Sequence, residues 1–164
     1  MNQSHSIIPS RVRGVTFHEI RNIMDPTRGN LTVGEFGTEL PFIPRRYFIT
    51  YHVPAQTTRG EHAHRACAQF LLSVAGQCCV KVNDGVEEEE FVLDRPTVGI
   101  HIPPMIWATE HKHSLDSRLM VFASLPYDPD DYIRDYAEFQ RLAGGGLATG
   151  RVMGNSRGVI PIAR

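Results

Sequence analysis

Apolar residues in this chain fall in short alternating runs separated by clusters of Gly, Pro, Asn and Asp. The clearest run is 45–53, rich in aromatic and β-branched residues. As a strand it places Arg46, Phe48 and Thr50 on one face and Arg45, Tyr47, Ile49 and Tyr51 on the other. Segments 31–36, 69–75, 77–82, 90–93, 98–102 and 118–125 read as further strands. Asp25-Pro26-Thr27-Arg28-Gly29-Asn30, Asn83-Asp84-Gly85 and Asp94-Arg95-Pro96 read as turns between them. The runs on either side of Gly76 suggest a hairpin-like pair. Residues 1–13 read as a loose arm, 14–23 as a short edge strand or irregular wrap, and 37–44 as a loop holding two prolines. No strand alternates with a helical period, so the expectation is an all-β barrel or sandwich. One helix is expected at the end. Asp128 is its cap, Pro129 its first residue, and Asp130 and Asp131 its acidic first turn. Tyr132, Tyr136 and Phe139 follow at helical spacing, and Gly144 ends it. Residues 1–143 thus read as one domain with an N-terminal arm, and 144–164 as a glycine-rich tail whose 159–163 stretch could add a strand.

The 164 residues suffice for one domain with a real core. Seventeen basic and 18 acidic residues give a net charge of −1, which makes no electrostatic case for nucleic acid or an anionic membrane. No long apolar run or signal-peptide pattern stands in the sequence, which predicts a cytoplasmic protein. Cys67, Cys78 and Cys79 have no zinc-type spacing and read as reduced thiols in or near the core. Glu87–Glu90 reads as a solvated acidic face.

The candidate chemistry lies in Arg59-Gly60-Glu61-His62-Ala63-His64. In a strand His62 and His64 look to one face. A turn over 65–68 would start an antiparallel partner strand from which Gln69 could face them. With Gly76, this resembles the first cupin motif: His-x-His, three or four residues, Glu, six residues, Gly. Gln69 stands in place of the Glu, and Ala108 and Thr109 stand where a third histidine would be expected. Two of four metal ligands are missing, so no metal is expected, and an imidazole pair that titrates near neutrality is available for proton transfer. His111-Lys112-His113 is a second such pair, in polar surroundings that read as an exposed loop.

Several segments are similar to the cupin-type nucleotide-sugar 3,4-ketoisomerases: Arg28 to Leu31, Phe42 to Arg46, Arg59 to Gln69, Pro103 to Trp107, Ala123-Ser124, and Tyr127-Asp128 with Asp131 to Arg134. The resemblance implies a cupin (RmlC-like) β-barrel or jelly roll with a C-terminal helix. It implies a dimer, with an N-terminal segment that crosses to its neighbour as in relatives, and no metal or other cofactor. The implied substrate is dTDP-4-keto-6-deoxyglucose, isomerised to the 3-keto sugar. The chemistry suits the residues: a C4 ketone acidifies the C3 hydrogen, a base takes it, and an acid returns a proton to C4. The resemblance favours His62 as the base and His64 as the relay. Arg46, Arg28 and Arg59 are candidates for the diphosphate. Gln69 could bind a sugar oxygen or orient a histidine; Trp107 and Tyr127 could line the site. Phe48 departs from a tyrosine common in related enzymes, and Ala108 from a histidine. The rival readings are a dTDP-sugar 3,5-epimerase, which would need a His–Asp dyad and a tyrosine acid, a metal-dependent cupin, and a non-catalytic sugar-nucleotide-binding cupin.

Overall fold

In a computed structural model the chain is described over residues 4–144. Two sheets face one another across an apolar interior. The larger runs β1 (Ser6–Pro9), β2 (Thr16–Glu19), β10 (Val98–Ile102), β7 (Gln69–Ala75), β12 (Arg118–Ala123) and β5 (Arg46–Tyr51) in that spatial order. The smaller runs β13 (Tyr132–Ile133), β6 (Arg59–His64), β11 (Trp107–His111), β8 (Cys78–Asn83) and β9 (Glu88–Leu93). A separate hairpin joins β3 (Arg21–Asp25) to β4 (Gly29–Val33), and one helix, α1 (Tyr136–Gly144), follows. The expected all-β barrel with a terminal helix is the fold observed. Among the described residues no helix is long and apolar enough to cross a membrane.

Alternation along each strand sorts side chains into an inner and an outer layer. Leu71, Ile100, Leu119 and Val121 from the larger sheet meet Cys78, Val80, Val82 and Leu93 from the smaller one in the main core. On the outer face of the smaller sheet, α1 buries Phe139 and Ala143 against Ala63 and Ile133. On the outer face of the larger sheet, Phe70 packs with Ile20 and Leu40. Gly99 is needed there: a Cβ would stand 2.5 Å from the Phe70 ring.

The structure corrects several expectations. Ser6–Pro9 is no loose arm but a paired edge strand, because β2 offers it a free row of backbone groups. The 14–23 stretch is two strands: Ile20 bonds to the Thr97 carbonyl, and the chain then leaves the sheet as β3. The strands flanking Gly76 do not pair with each other; β7 pairs with β10 and β12, and β8 with β11 and β9. The 65–68 turn likewise carries the chain from one sheet to the other. Asp128 caps only a 3-10 turn, Pro129–Asp131, after which Tyr132 and Ile133 extend along β6 and the helix begins at Tyr136. Tyr132 therefore does not share a helix face with Tyr136 and Phe139. His111 ends strand β11, and His113 is buried rather than exposed. Glu88 and Glu90 are ion-paired with Lys81 and Lys112. The three cysteines stand as expected, free and buried. The 159–163 stretch expected as an added strand lies outside the described residues.

Candidate active site

Strand β6 brings His62 and His64 to the inner face with ring centroids 4.9 Å apart. The strand enters through Gly60 and Glu61, both at positive φ, and its register with β11 shifts between Ala108 and Thr109. Gly60 suits this position, since a Cβ there would stand 2.8 Å from the Ala108 carbonyl oxygen.

Each imidazole is held in one tautomer by what its Nδ1 meets. His62 Nδ1 lies 2.8 Å from the Gly60 carbonyl oxygen, which can only accept, so Nδ1 carries the proton and Nε2 is a bare lone pair. His64 Nδ1 lies 2.8 Å from Asp131 Oδ2 and donates to that carboxylate. The Gln69 amide donates to His64 Nε2 over 3.1 Å. Burial pushes both histidines below the ordinary imidazole value, His64 to about 4 against the opposing pull of Asp131. Both therefore stand neutral at pH 7. Arg46 and Arg134 push His62 down further.

Asp131 reaches His64 because the 3-10 turn lays β13 beside β6. Its carboxylate also accepts the Ala66 and Cys67 amides, which hold it below the usual carboxylate range despite the opposing effect of burial. Tyr132, directly opposite His64, sets its ring 4.4 Å from His64 and 4.9 Å from His62. Neither residue was a sequence candidate. Their closeness to the histidines depends on a strand pairing between positions far apart in the chain, and the segment carried a helix signature.

The structure gathers five sequence candidates here. Gln69 faces His64 from the opposite sheet. Arg46 arrives from the opposite sheet. Its strand does not neighbour β6; Arg46, Ala123 and Gln69 instead form one row across β5, β12 and β7 on the inner face. Arg46 Nη2 donates to the Tyr132 hydroxyl over 3.3 Å, and its buried Nε has no partner among the described residues. Tyr127 stands at the rim with its ring 5.3 Å from the Arg46 guanidinium carbon. Three candidates lie elsewhere. Arg28 sits in the β3–β4 turn, paired with Asp25 at 2.6 Å. Arg59 begins β6, exposed, near enough to act on Glu110. Trp107 faces outward against Tyr136 and Phe139 of α1 and lines a hollow of about 200 Å³ with Lys81, Asn83 and Thr109.

Ala108 lies opposite His62, and Gln69 is already bonded to His64. The inner face thus fits a cupin metal poorly. Of the described residues, His64, Cys67 and Asp131 form the one group of three close donor residues, behind the imidazole. Glu110 lies deeper on the inner face of β11, where burial pushes its carboxyl up to about 7.

Comparison with known proteins bears on this arrangement. Residues 13–144 match the family model described as FdtA: WxcM-like, C-terminal. A TDP-4-oxo-6-deoxy-alpha-D-glucose-3,4-oxoisomerase from Aneurinibacillus thermoaerophilus is 36% identical over 121 residues, 74% of this chain and 86% of the relative. The solved QdtA sugar 3,4-ketoisomerase from Thermoanaerobacterium thermosaccharolyticum, in complex with TDP, superposes with a TM-score of 0.78 at 30% identity, covering 82% of this chain and 98% of that one. The WlaRB TDP-quinovose 3,4-ketoisomerase from Campylobacter jejuni gives 0.75 at 34% identity, covering 79% and 99%.

Proposed function

The chain belongs to the FdtA, WxcM-like family, and on that premise we propose that it is an isomerase that moves the ketone of TDP-4-keto-6-deoxyglucose from C4 to C3 without a metal. The observation that carries the reading is the unprotonated His62 Nε2, fixed by the Gly60 carbonyl, on the same face as His64. His62 takes the C3 proton and an enediolate forms. The proton is then returned at C4. His64, its Nδ1 given to Asp131 and its Nε2 to Gln69, orders the site beside His62. Burial favours the neutral form of His62, the form that can accept a proton.

Arg46, whose buried Nε has no partner among the described residues, is the group we assign to the diphosphate or to the developing oxyanion. Tyr127 would cover the rim. Arg28, Arg59 and Trp107 have weaker support as substrate contacts, since each is engaged elsewhere or faces away. The exposed Tyr47, Ile49 and Tyr51 on edge strand β5 support a homodimer. A nucleotide-sugar substrate supports a cytoplasmic location. The His64–Asp131 pair with a nearby tyrosine is the observation that favours the rival 3,5-epimerase.

A proton NMR time course in D₂O with TDP-4-keto-6-deoxyglucose tests the reading. A ketone that moves to C3 with deuterium at C4 is the expected result. A ketone that stays at C4 while deuterium enters C3 and C5 would make the chain an epimerase. No exchange despite TDP binding would leave a binding protein.

A further inference from the structure

Moving a ketone between neighbouring carbons moves two protons. One passes from C3 to C4, the other from O3 to O4. Among the described residues nothing engages His62 Nε2, which is free for the first. Nothing on the histidines is left for the second, because His64 gives Nδ1 to Asp131 and Nε2 to Gln69. Phe48, beside Arg46 on the inner face of β5, carries no hydroxyl.

Resting on the ketoisomerase reading, we propose that the Tyr132 phenol shuttles the proton between the two sugar oxygens, with Arg46 stabilising its ionised form. Tyr132 is directly opposite His64 on the same face of the sheet, its ring within 5 Å of both imidazole centroids. The Arg46 guanidinium can only donate, so at 3.3 Å the phenol oxygen is its acceptor, and the phenol's own hydrogen is left for another partner. Arg134 lies 4.3 Å from the ring centroid on the ring face, a second cation favouring negative charge on the ring.

The steps balance. When His62 takes the C3 hydrogen, the C3–H electron pair becomes the C3=C4 bond and the carbonyl pair moves to O4. In a separate, later step, after C3 exchange through the O4 enolate has already become possible, the Tyr132 O–H bond breaks as O4–H forms, leaving a tyrosinate against Arg46. The O3 proton then passes to the tyrosinate, the O3 pair closes the new carbonyl, and C4 takes the proton held on His62. Both side chains end as they began.

The test is the ratio of C3 hydrogen exchange to net isomerisation, read by proton NMR in D₂O at saturating substrate with the full-length protein. Wild type is expected to show both. Tyr132→Phe is expected to bind TDP as wild type does and to keep exchange at C3 within a few-fold. Its isomerisation should fall by about 10²-fold or more, the usual scale for a lost acid–base group. Arg46→Gln should bias the ratio the same way, more weakly, and the ratio does not depend on any loss of affinity. A Tyr132→Phe protein that isomerises within tenfold of wild type overturns the proposal. So does a parallel fall in exchange and isomerisation, which would mean that the ring only positions the histidines. A wild type inert toward the substrate overturns the ketoisomerase reading, and the shuttle with it.

Discussion

One group of histidines lines the interior of this barrel and another lies under its N-terminal strand. Burial depresses His64 inside and His18 and His101 outside to the same value, about 4. Their partners differ. His18 spends both ring nitrogens on other side chains, Nδ1 on His5 at 3.2 Å and Nε2 on Thr16 at 2.8 Å, and Phe70 closes its ring edge. His62 spends one nitrogen on a backbone carbonyl and turns the other to a face that also holds Arg46, Gln69 and Tyr132. A depressed pKa therefore marks burial in both places, and only the unspent lone pair marks a base.

The largest effect that could break this contrast comes from His62→Asn. Turnover is expected to fall by about 10²–10⁴-fold, the range for removal of a general base, with TDP affinity retained. Near-normal turnover would end the assignment. His18→Asn should leave turnover per folded molecule unchanged and lower stability by about 1–3 kcal/mol, the cost of partners left unsatisfied in a buried site. Urea unfolding of the two variants beside their rates separates a working histidine from a structural one.

A smaller effect is expected at Asp131. The carboxylate favours a charged His64, so an amide at this position should push that imidazole lower still. Asp131→Asn is expected to cost about tenfold or more in kcat, by analogy with other histidine-orienting partners. The acid limb of the rate profile should also move to lower pH. An unchanged limb would mean that protonation of His64 does not set it.

These residues also mark how far the sequence could be read. Period-two alternation was enough to put Arg46 and Phe48 together and His62 with His64, and turn residues bounded most strands. Asp131 was legible as an acid after a cap, and that reading is correct for one 3-10 turn. What followed was not legible, because β13 gains its partner from β6, far away in the chain, and tertiary pairing overrode the local helix signal. The outer histidines were hidden for the same reason: His5, His18 and His101 meet only once β1, β2 and β10 are side by side. Trp107 precedes the residue opposite His62 in β11, so it takes the other face of that strand, a placement that needs the β11–β6 register and not the sequence pattern alone.

Acidification should act on both histidine groups alike. A histidine whose folded-state pKa is depressed binds fewer protons folded than unfolded. Its stability contribution is complete above pH 6.5, the unfolded value, and is lost as pH falls through about 4. Within that window each such histidine should steepen the decline by about 1.4 kcal/mol per pH unit. Urea midpoints at several pH values between 7 and 4 would measure it. His18→Asn should flatten the slope without altering the pH–rate profile per folded molecule. A profile that shifted with His18 would join the two regions that the structure keeps apart.

The smallest expected effect belongs to Trp107, a residue of the outer layer whose neighbour Ala108 looks inward at His62. Its ring meets Tyr136 at 5.0 Å and Phe139 at 5.6 Å between centroids, so it ties α1 to β11. Trp107→Phe keeps an aromatic surface for the helix and loses part of its area, which should cost about 1–2 kcal/mol of stability. KM for the sugar nucleotide and kcat should stay within twofold of wild type, because the ring does not share the face of the histidines. A rise in KM with stability unchanged would place the nucleotide against α1. The contrast between a chemical interior and a structural exterior would then hold for histidines but not for the molecule.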